Sequence, residues 1–430
     1  MSMTEASIPS PTGAGEAEAI IKTCINCGCC NSGCPTFDLL GDELDSPRGR
    51  INLIKEMMKE DGAPDAETVL HIDRCLSCNS CLTSCPSDVD YMHLVDFARS
   101  HIEKTYRRPI LDRMLRAMLA AILPDPDRFR LALAVARPFR GLAPVVSSIP
   151  GFKPYAALLA ATPKKRLSRS DEIEAGVFAP DEAKKRVLIP SGCVQRVLDP
   201  EINRSAIRVL NAAGVAVTLP DDDNCCGALV LHLGKEAAAK EQARRNVDAW
   251  YPHVECGLDA IVITTSGCGT TIKDYGHLLA DDPAYREKAA AVAGIARDIS
   301  EFLTEIELPE PVIKPGLKVA YHAACSLQHG QKVLNPPRKL LLKAGFKLAR
   351  PKDEHLCCGS AGTYSILQPD ISIQLRDRKV ANLEELGADV IAAGNIGCID
   401  HIAGGAQLPV LHTVQLLDWS YTGRKPAALA

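Results

Sequence analysis

From residue 186 to the C-terminus, short apolar runs alternate with longer stretches in which apolar residues recur every three or four positions. The runs at 186–190, 215–219 and 260–264 read as buried strands, and 200–213 and 235–250 as the helices between them. Gly214 ends the first of these helices. The same plan returns at 318–321, 346–348 and 390–393. Such alternation predicts a parallel sheet, whose loops at the carboxyl ends of the strands converge on one crevice. Upstream, residues 51–58 show helical spacing, with Ser46 and Pro47 as N-cap and first-turn proline. Between 106 and 163, Leu111, Leu115, Met118, Leu119, Ile122 and Leu123 form one apolar stripe. Pro124, Pro126, Pro138, Pro150 and Pro154 break that region into short helices. Residues 164–169 and the acidic run after them read as a linker. The N-terminus through about Ala17 is polar and broken by Pro and Gly, and is expected to be disordered.

The two α/β halves carry cysteines in matching places. Cys193 is followed by Cys225-Cys226-Gly227 and then Cys268; Cys325 is followed by Cys357-Cys358-Gly359 and then Cys398. The first gap is 32 positions in both copies, so the halves are an internal duplication. All eight cysteines are expected on loops at the carboxyl ends of strands, where four from each copy meet as a metal site. Gly227 and Gly359 allow the positive φ that a turn presenting two adjacent thiols would need. Buried core thiols are the alternative, but free cysteines seldom cluster without chemistry.

The N-terminal quarter holds a different pattern, twice. Cys24-x-x-Cys27-x-x-Cys30-x-x-x-Cys34-Pro35 is repeated as Cys75-x-x-Cys78-x-x-Cys81-x-x-x-Cys85-Pro86. This is the bacterial ferredoxin spacing, in which three cysteines serve one [4Fe–4S] cluster and the fourth serves its neighbour. The expected ligands are Cys24, Cys27, Cys30 and Cys85 for the first cluster, and Cys75, Cys78, Cys81 and Cys34 for the second. Structural zinc uses two separated pairs and needs neither the third and fourth cysteines nor the proline. Cys29 lies off the ligand register and reads as a small buried thiol. Arg48 and Arg50 either sit near the anionic clusters and favour reduction, or are surface residues at a helix start. Two clusters in one small module form a wire, so the chain is expected to carry electrons.

Composition narrows the picture further. The chain has 430 residues and 18 cysteines; with no signal peptide, the thiols belong in a reducing, cytoplasmic compartment as metal ligands. The net charge of −4 offers no general field for nucleic acid. No stretch is long and apolar enough to span a membrane. Arg107, Arg108, Arg113, Arg116, Arg128, Arg130, Arg137 and Arg140 decorate the 106–163 region. A basic amphipathic segment can meet a membrane surface or a partner, or simply cap a core. Reversing charge at Arg113 and Arg116 is expected to weaken such an association. No Gly-x-Gly-x-x-Gly follows a strand, so no nucleotide site of its own is expected. His232, His322, His329 and His355 lie near cysteine loops and are read as structural.

The expected architecture is multidomain α+β and α/β. A disordered 1–17 precedes a helical ferredoxin-like module (18–105), a basic helical linker (106–180) and two tandem cysteine-rich repeats with parallel sheets (181–310 and 311–430). These features together resemble the iron–sulfur subunits of glycolate oxidase (glycolate dehydrogenase). The residues carrying the resemblance are the two cysteine runs, the stretch 41–51, the segment 265–269, the stretch 355–364 around Cys357-Cys358-Gly359, and 395–398. The third subunit of anaerobic glycerol-3-phosphate dehydrogenase and heterodisulfide-reductase-type proteins look similar more distantly. The resemblance implies a complex with flavin-binding partners that convert glycolate to glyoxylate, with electrons passed onward to a quinone-type acceptor at the cytoplasmic membrane. A partner oxidising lactate or glycerol 3-phosphate, or a non-redox zinc scaffold, are the alternatives. In the broader family each repeat can end in Cys-x-x-Cys and hold a non-cubane cluster. Here Thr265 and Asn395 stand at the first position of that pair, which leaves four cysteines per repeat for an iron–sulfur cluster or zinc.

Overall fold

The computed structural model describes residues 13–59, 63–164, 167, 169 and 172–430. Of the expected linker, Lys165, Arg166, Ser168, Ser170 and Asp171 lie outside the described residues, as does most of the expected disordered N-terminus. The first helix, Ala14–Thr23, begins inside that N-terminal segment and corrects the expectation there. Ala17 and Ile20, three apart, bury one face of it, packing with Ile51, Ile54 and Ile102.

The N-terminal module is helical. Helix Pro47–Lys59 starts as expected: Ser46 Oγ accepts from the Gly49 amide at 2.9 Å. Helices Ala66–Asp73 and Tyr91–Thr105 complete a core of Ile54, Ile72, Leu94, Val95 and Ala98. The cysteine runs are loops draped over this scaffold, so helix packing positions them.

Two sheets follow. The first contains β1 (Gly176–Phe178), β2 (Lys185–Leu188), β3 (Val215–Leu219), β4 (Ala260–Ile263) and β5 (Ala296–Asp298), in the order β1-β3-β2-β4-β5. The second contains β6 (Lys318–His322), β7 (Lys347–Ala349), β8 (Val390–Ala393) and β9 (Val410–His412), in the order β7-β6-β8-β9. Every pairing is parallel except β1 with β3. Without β1, the two orders are the same, as duplicated halves require. Strand residues alternate between two buried faces. Val187, Val217 and Val262 face a core shared with the second sheet, whereas Leu188, Ile261 and Ile263 face the core around Trp250.

The halves are locked together. Helix Glu201–Ala212 lies against helix Thr413–Thr422, and Arg208 there binds Asp418 through Nε at 2.9 Å. His412 Nε2 meets the Thr264 carbonyl at 2.8 Å, and the Ser266 and Ser326 hydroxyls are 2.7 Å apart. The N-terminal module sits against both. His93 Nε2 reaches Asp274 of the first half at 3.0 Å, and Tyr364 Oη of the second donates to the Arg74 carbonyl at 3.1 Å.

The region 106–163 forms short helices, including Ile110–Ile122, Pro126–Ala136 and Lys153–Ala160. Leu115, Leu119 and Leu123 bury the expected stripe. The basic face needs correction. Arg108 and Arg116 are buried, binding Asp73 at 2.6 and 2.8 Å, and Arg130 pairs with Asp127 and Glu172. Reversing charge at Arg116 would therefore break a buried network rather than report on docking. Arg107, Arg113 and Arg128 remain exposed. No helix among the described residues is long and apolar enough to cross a membrane.

Candidate metal centres and their relatives

Each run in the N-terminal module turns through left-handed backbone, at Asn26 and Gly28 in the first and at Ser77 and Asn79 in the second. Such turns let three thiols point inward from one short loop. Cys24, Cys27, Cys30 and Cys85 line a common cavity beside Arg48, with Cys81 at its inner wall. Cys81 in turn faces Cys78, Cys75 and Cys34. The structure thus gathers the eight cysteines into two adjoining sets, with Cys85 and Cys34 each crossing to the other run.

The sets differ in exposure. Cys27 is exposed and Cys24, Cys30 and Cys85 are half-buried, whereas Cys34, Cys75, Cys78 and Cys81 are buried. Burial, reinforced by neighbouring thiolates, holds the Cys78 and Cys81 thiols well above their ordinary range. Burial likewise pushes Cys30 up to about 11. Converging thiols of this kind fit iron: a bound cation reverses the repulsion and lets the thiolates form. Cys29, expected to be buried, is exposed; it opens the turn Cys29–Gly33 and stands beside Cys27.

Polar groups face the inner set, among them Arg50, for which the sequence left a cluster-side and a surface place open and which takes the first. Arg50 places Nη1 3.8 Å from Cys34 Sγ and is held by Asp45, Thr36 and the His71 carbonyl. Asp45 also binds His71 and Arg74, at 2.9 and 2.8 Å. Tyr91 Oη donates to Cys75 Sγ at 3.7 Å. Only Arg50 had a signal in the sequence, its place one turn into the helix after Pro47.

In each repeat four cysteines meet. Cys193 caps helix Val194–Leu198 after β2, with its Sγ 3.5 Å from that of Cys225. Cys226, next in chain, faces Cys268. In the second repeat Cys325 lies 3.7 Å from Cys357, and the Sγ atoms of Cys358 and Cys398 lie within 4.8 Å of each other. The loop expectation needs one correction: Cys268 and Cys398 lie in the first turns of helices Ser266–Lys273 and Ile396–Ala403. Gly227 and Gly359 do adopt positive φ, +93° and +91°. Asn395, at the departed ligand position, donates from Nδ2 to Cys398 Sγ at 3.4 Å, while Thr265 turns to Gln195.

The second repeat adjoins the inner N-terminal set. Cys78 shares a buried cluster with Cys357, Leu76 and Tyr364, and Cys325 borders it. Of the four histidines near cysteine loops, His329 is structural, between Thr83 and the His355 carbonyl. His322 is different: it forms a buried group with Cys358 and Cys398. Burial lowers its ring to about 3, which keeps the imidazole neutral.

These centres have counterparts in known proteins. A 4Fe-4S dicluster domain matches residues 23–90, and a cysteine-rich domain matches 187–273 and again 319–403. The dicluster match means two [4Fe–4S] clusters in the N-terminal module. The chain is 40% identical to the glycolate oxidase iron–sulfur subunit of Escherichia coli (strain K12), over 94% of this chain and 95% of that one. It is 31% identical to the probable glycolate oxidase iron–sulfur subunit of Bacillus subtilis (strain 168), over 89% and 88%. A hypothetical protein from Helicobacter pylori shares the fold with a TM-score of 0.52 at 10% identity, covering 89% of this chain and 69% of that chain. With its duplicated cysteine-rich halves behind a dicluster module, and with identity running nearly end to end, the chain belongs to the family of glycolate oxidase iron–sulfur subunits.

Proposed function

We propose that this chain takes electrons from a flavin-binding partner that oxidises glycolate to glyoxylate, and delivers them toward a quinone-type acceptor. One observation carries the reading. Two complete four-cysteine sets adjoin, the outer reaching the surface at Cys27 and the inner enclosed against the second repeat. Cys24, Cys27, Cys30 and Cys85 hold the outer cluster; Cys75, Cys78, Cys81 and Cys34 hold the inner one. The clusters supply one-electron storage. The protein supplies the rest. Arg48 and Arg50 place positive charge beside the thiolates, and Tyr91 donates to Cys75, all of which favour the reduced state. Cys193, Cys225, Cys226 and Cys268, and Cys325, Cys357, Cys358 and Cys398, hold further metal, as iron–sulfur clusters in preference to zinc on the softness of the donors.

The 106–163 helices support a place at the cytoplasmic face of a membrane. Ile110 and Met114, and Leu131 and Val135, are exposed apolar pairs at i, i+4 spacing; Phe139, Leu142 and Val145 extend them, among exposed Arg107, Arg113 and Arg128. Apolar side chains ringed by arginine suit an anionic bilayer surface.

The test is Cys81→Ser in the complex assembled with its flavin-binding partners under anaerobic conditions. Glycolate-driven reduction of an acceptor dye should be lost and iron should fall from a minimum of about eight per chain, while the partners still bind glycolate. Full dye reduction by the variant would overturn the reading, as would lactate or glycerol 3-phosphate replacing glycolate as the electron source.

A further inference from the structure

We propose that the second repeat binds its metal through His322 as well as cysteine, so that the two repeats hold chemically different centres. The proposal rests on the reading that the repeat cysteines bind metal, and adds a nitrogen ligand to one of them.

His322 ends β6, and one of its ring nitrogens and the Sγ atoms of Cys358 and Cys398 all lie within 4.8 Å of one another. That spread suits donors around one metal, since Zn–S or Fe–S contacts near 2.3 Å and M–N contacts near 2.1 Å place neighbouring ligand atoms roughly 3.5–4 Å apart. All three residues are buried, His322 and Cys358 to 1% exposure and Cys398 to 2%. His322 Nε2 has no hydrogen-bond partner among the described residues. A buried imidazole nitrogen without a hydrogen bond keeps its desolvation cost uncompensated. Coordination through Nε2 would remove that cost.

The duplication sharpens the contrast. Aligning Cys193 with Cys325 puts Pro190 opposite His322, so the first repeat can offer only sulfur at this point. Asn395 adds a second asymmetry through its hydrogen bond to Cys398 Sγ. The donor set of imidazole with thiolates suits iron or zinc and excludes magnesium and calcium. On an iron–sulfur cluster, imidazole in place of thiolate raises the reduction potential. Cys357 shares its buried cluster with Cys78, so such a centre would attract electrons from the inner N-terminal cluster.

The experiment compares anaerobically purified full-length wild type, His322→Ala, His322→Cys and Cys358→Ser for iron and zinc per chain. Protein labelled with ¹⁵N-histidine is examined by pulsed EPR for nitrogen coupling to reduced iron, and at the zinc K-edge for a nitrogen neighbour. The expected result is that His322→Ala loses the same metal as Cys358→Ser, that His322→Cys retains it, and that the nitrogen signature of wild type vanishes in both histidine variants. Metal lost from Cys358→Ser but fully kept by His322→Ala overturns the histidine ligand and leaves the repeat's cysteine site standing. Metal unchanged in both overturns the site as well. If His322→Ala does not fold, the unmutated protein decides: no nitrogen coupling by either method overturns the proposal.

Discussion

Arg50 holds its guanidinium 3.8 Å from Cys34 Sγ while gripping Asp45 at 3.2 Å, all three residues buried. The charge cannot move away and water does not screen it. Arg50→Gln should therefore lower the potential of the inner cluster by on the order of 100 mV, since a unit charge at this range is worth up to about 4 kcal/mol at an effective dielectric near 20. It should also cost roughly 3 kcal/mol of stability by removing one partner of a buried carboxylate. Redox titration followed by EPR reads the first effect and chemical denaturation the second. Arg50→Lys, which keeps the charge but loses the fork, should show a smaller shift in potential.

Gly227 and Gly359 share a left-handed backbone but not their surroundings. A Cβ on Gly227 would meet the Ala239 carbonyl oxygen at 3.2 Å; on Gly359 it would meet the Ser372 carbonyl oxygen at 2.5 Å. Gly227→Ala should cost about 1–2 kcal/mol, the usual left-handed penalty. Gly359→Ala should cost more, because backbone must also shift. Thermal unfolding should rank the two variants in that order, and metal content should fall further in the second.

The junction between the N-terminal module and the first repeat should respond to alkali. Burial disfavours a charged His93, but bonds to Asp274 and Asp90 more than offset it and raise the ring to about 10. His277 stacks on it at 3.6 Å and binds Glu16. In the unfolded chain the ring titrates near 6.5. The raised value means its stabilisation is complete below about 6.5 and fades as pH climbs through about 10. The stability gap between wild type and His93→Gln should therefore be widest near pH 6 and close above pH 10, by urea unfolding at each pH.

Asp73 joins the N-terminal module to the 106–163 helices. Burial would raise its carboxyl, but Arg116 and Arg108 hold it below the usual range. Asp73→Asn leaves the two buried guanidinium groups with only the partly exposed Asp112 and Glu103, and should cost about 3 kcal/mol. Denaturant midpoints measure this, and Arg113→Glu, at the exposed neighbour, should leave them nearly unchanged.

Membrane contact has its own prediction. Replacing Met114, Leu131 and Val135 together with Asp should abolish sedimentation with anionic phospholipid vesicles while leaving iron content intact. Equal sedimentation of variant and wild type would remove the bilayer from the picture.

The longer strands were legible because β3 and β8 are apolar runs buried on both faces, and no helix period competes with them. Strands β1, β5 and β9 were not. Each has only three residues, and β5 is Ala-Arg-Asp, whose place in the sheet comes from its pairing with β4. The clustering of the cysteines followed from spacing and duplication. The roles of Arg108 and Arg116 did not, since Arg116 finds Asp73 43 positions away and no local pattern records such a meeting. His322 stayed hidden for a related reason. A single histidine at a strand end looks the same whether it faces packing or thiols, and only the fold brings Cys358 and Cys398 to it.

The enclosure of Cys78 by Leu76, Cys357 and Tyr364 bears on how the protein is made. The wall over the inner set comes from residues synthesised almost 300 positions after those they cover, as the Tyr364 bond to Arg74 shows. Iron therefore has its freest access to the inner set before the second half closes over it. Maturation machinery has a limited interval in which to act, and a chain that folds shut empty is committed to staying so until it reopens.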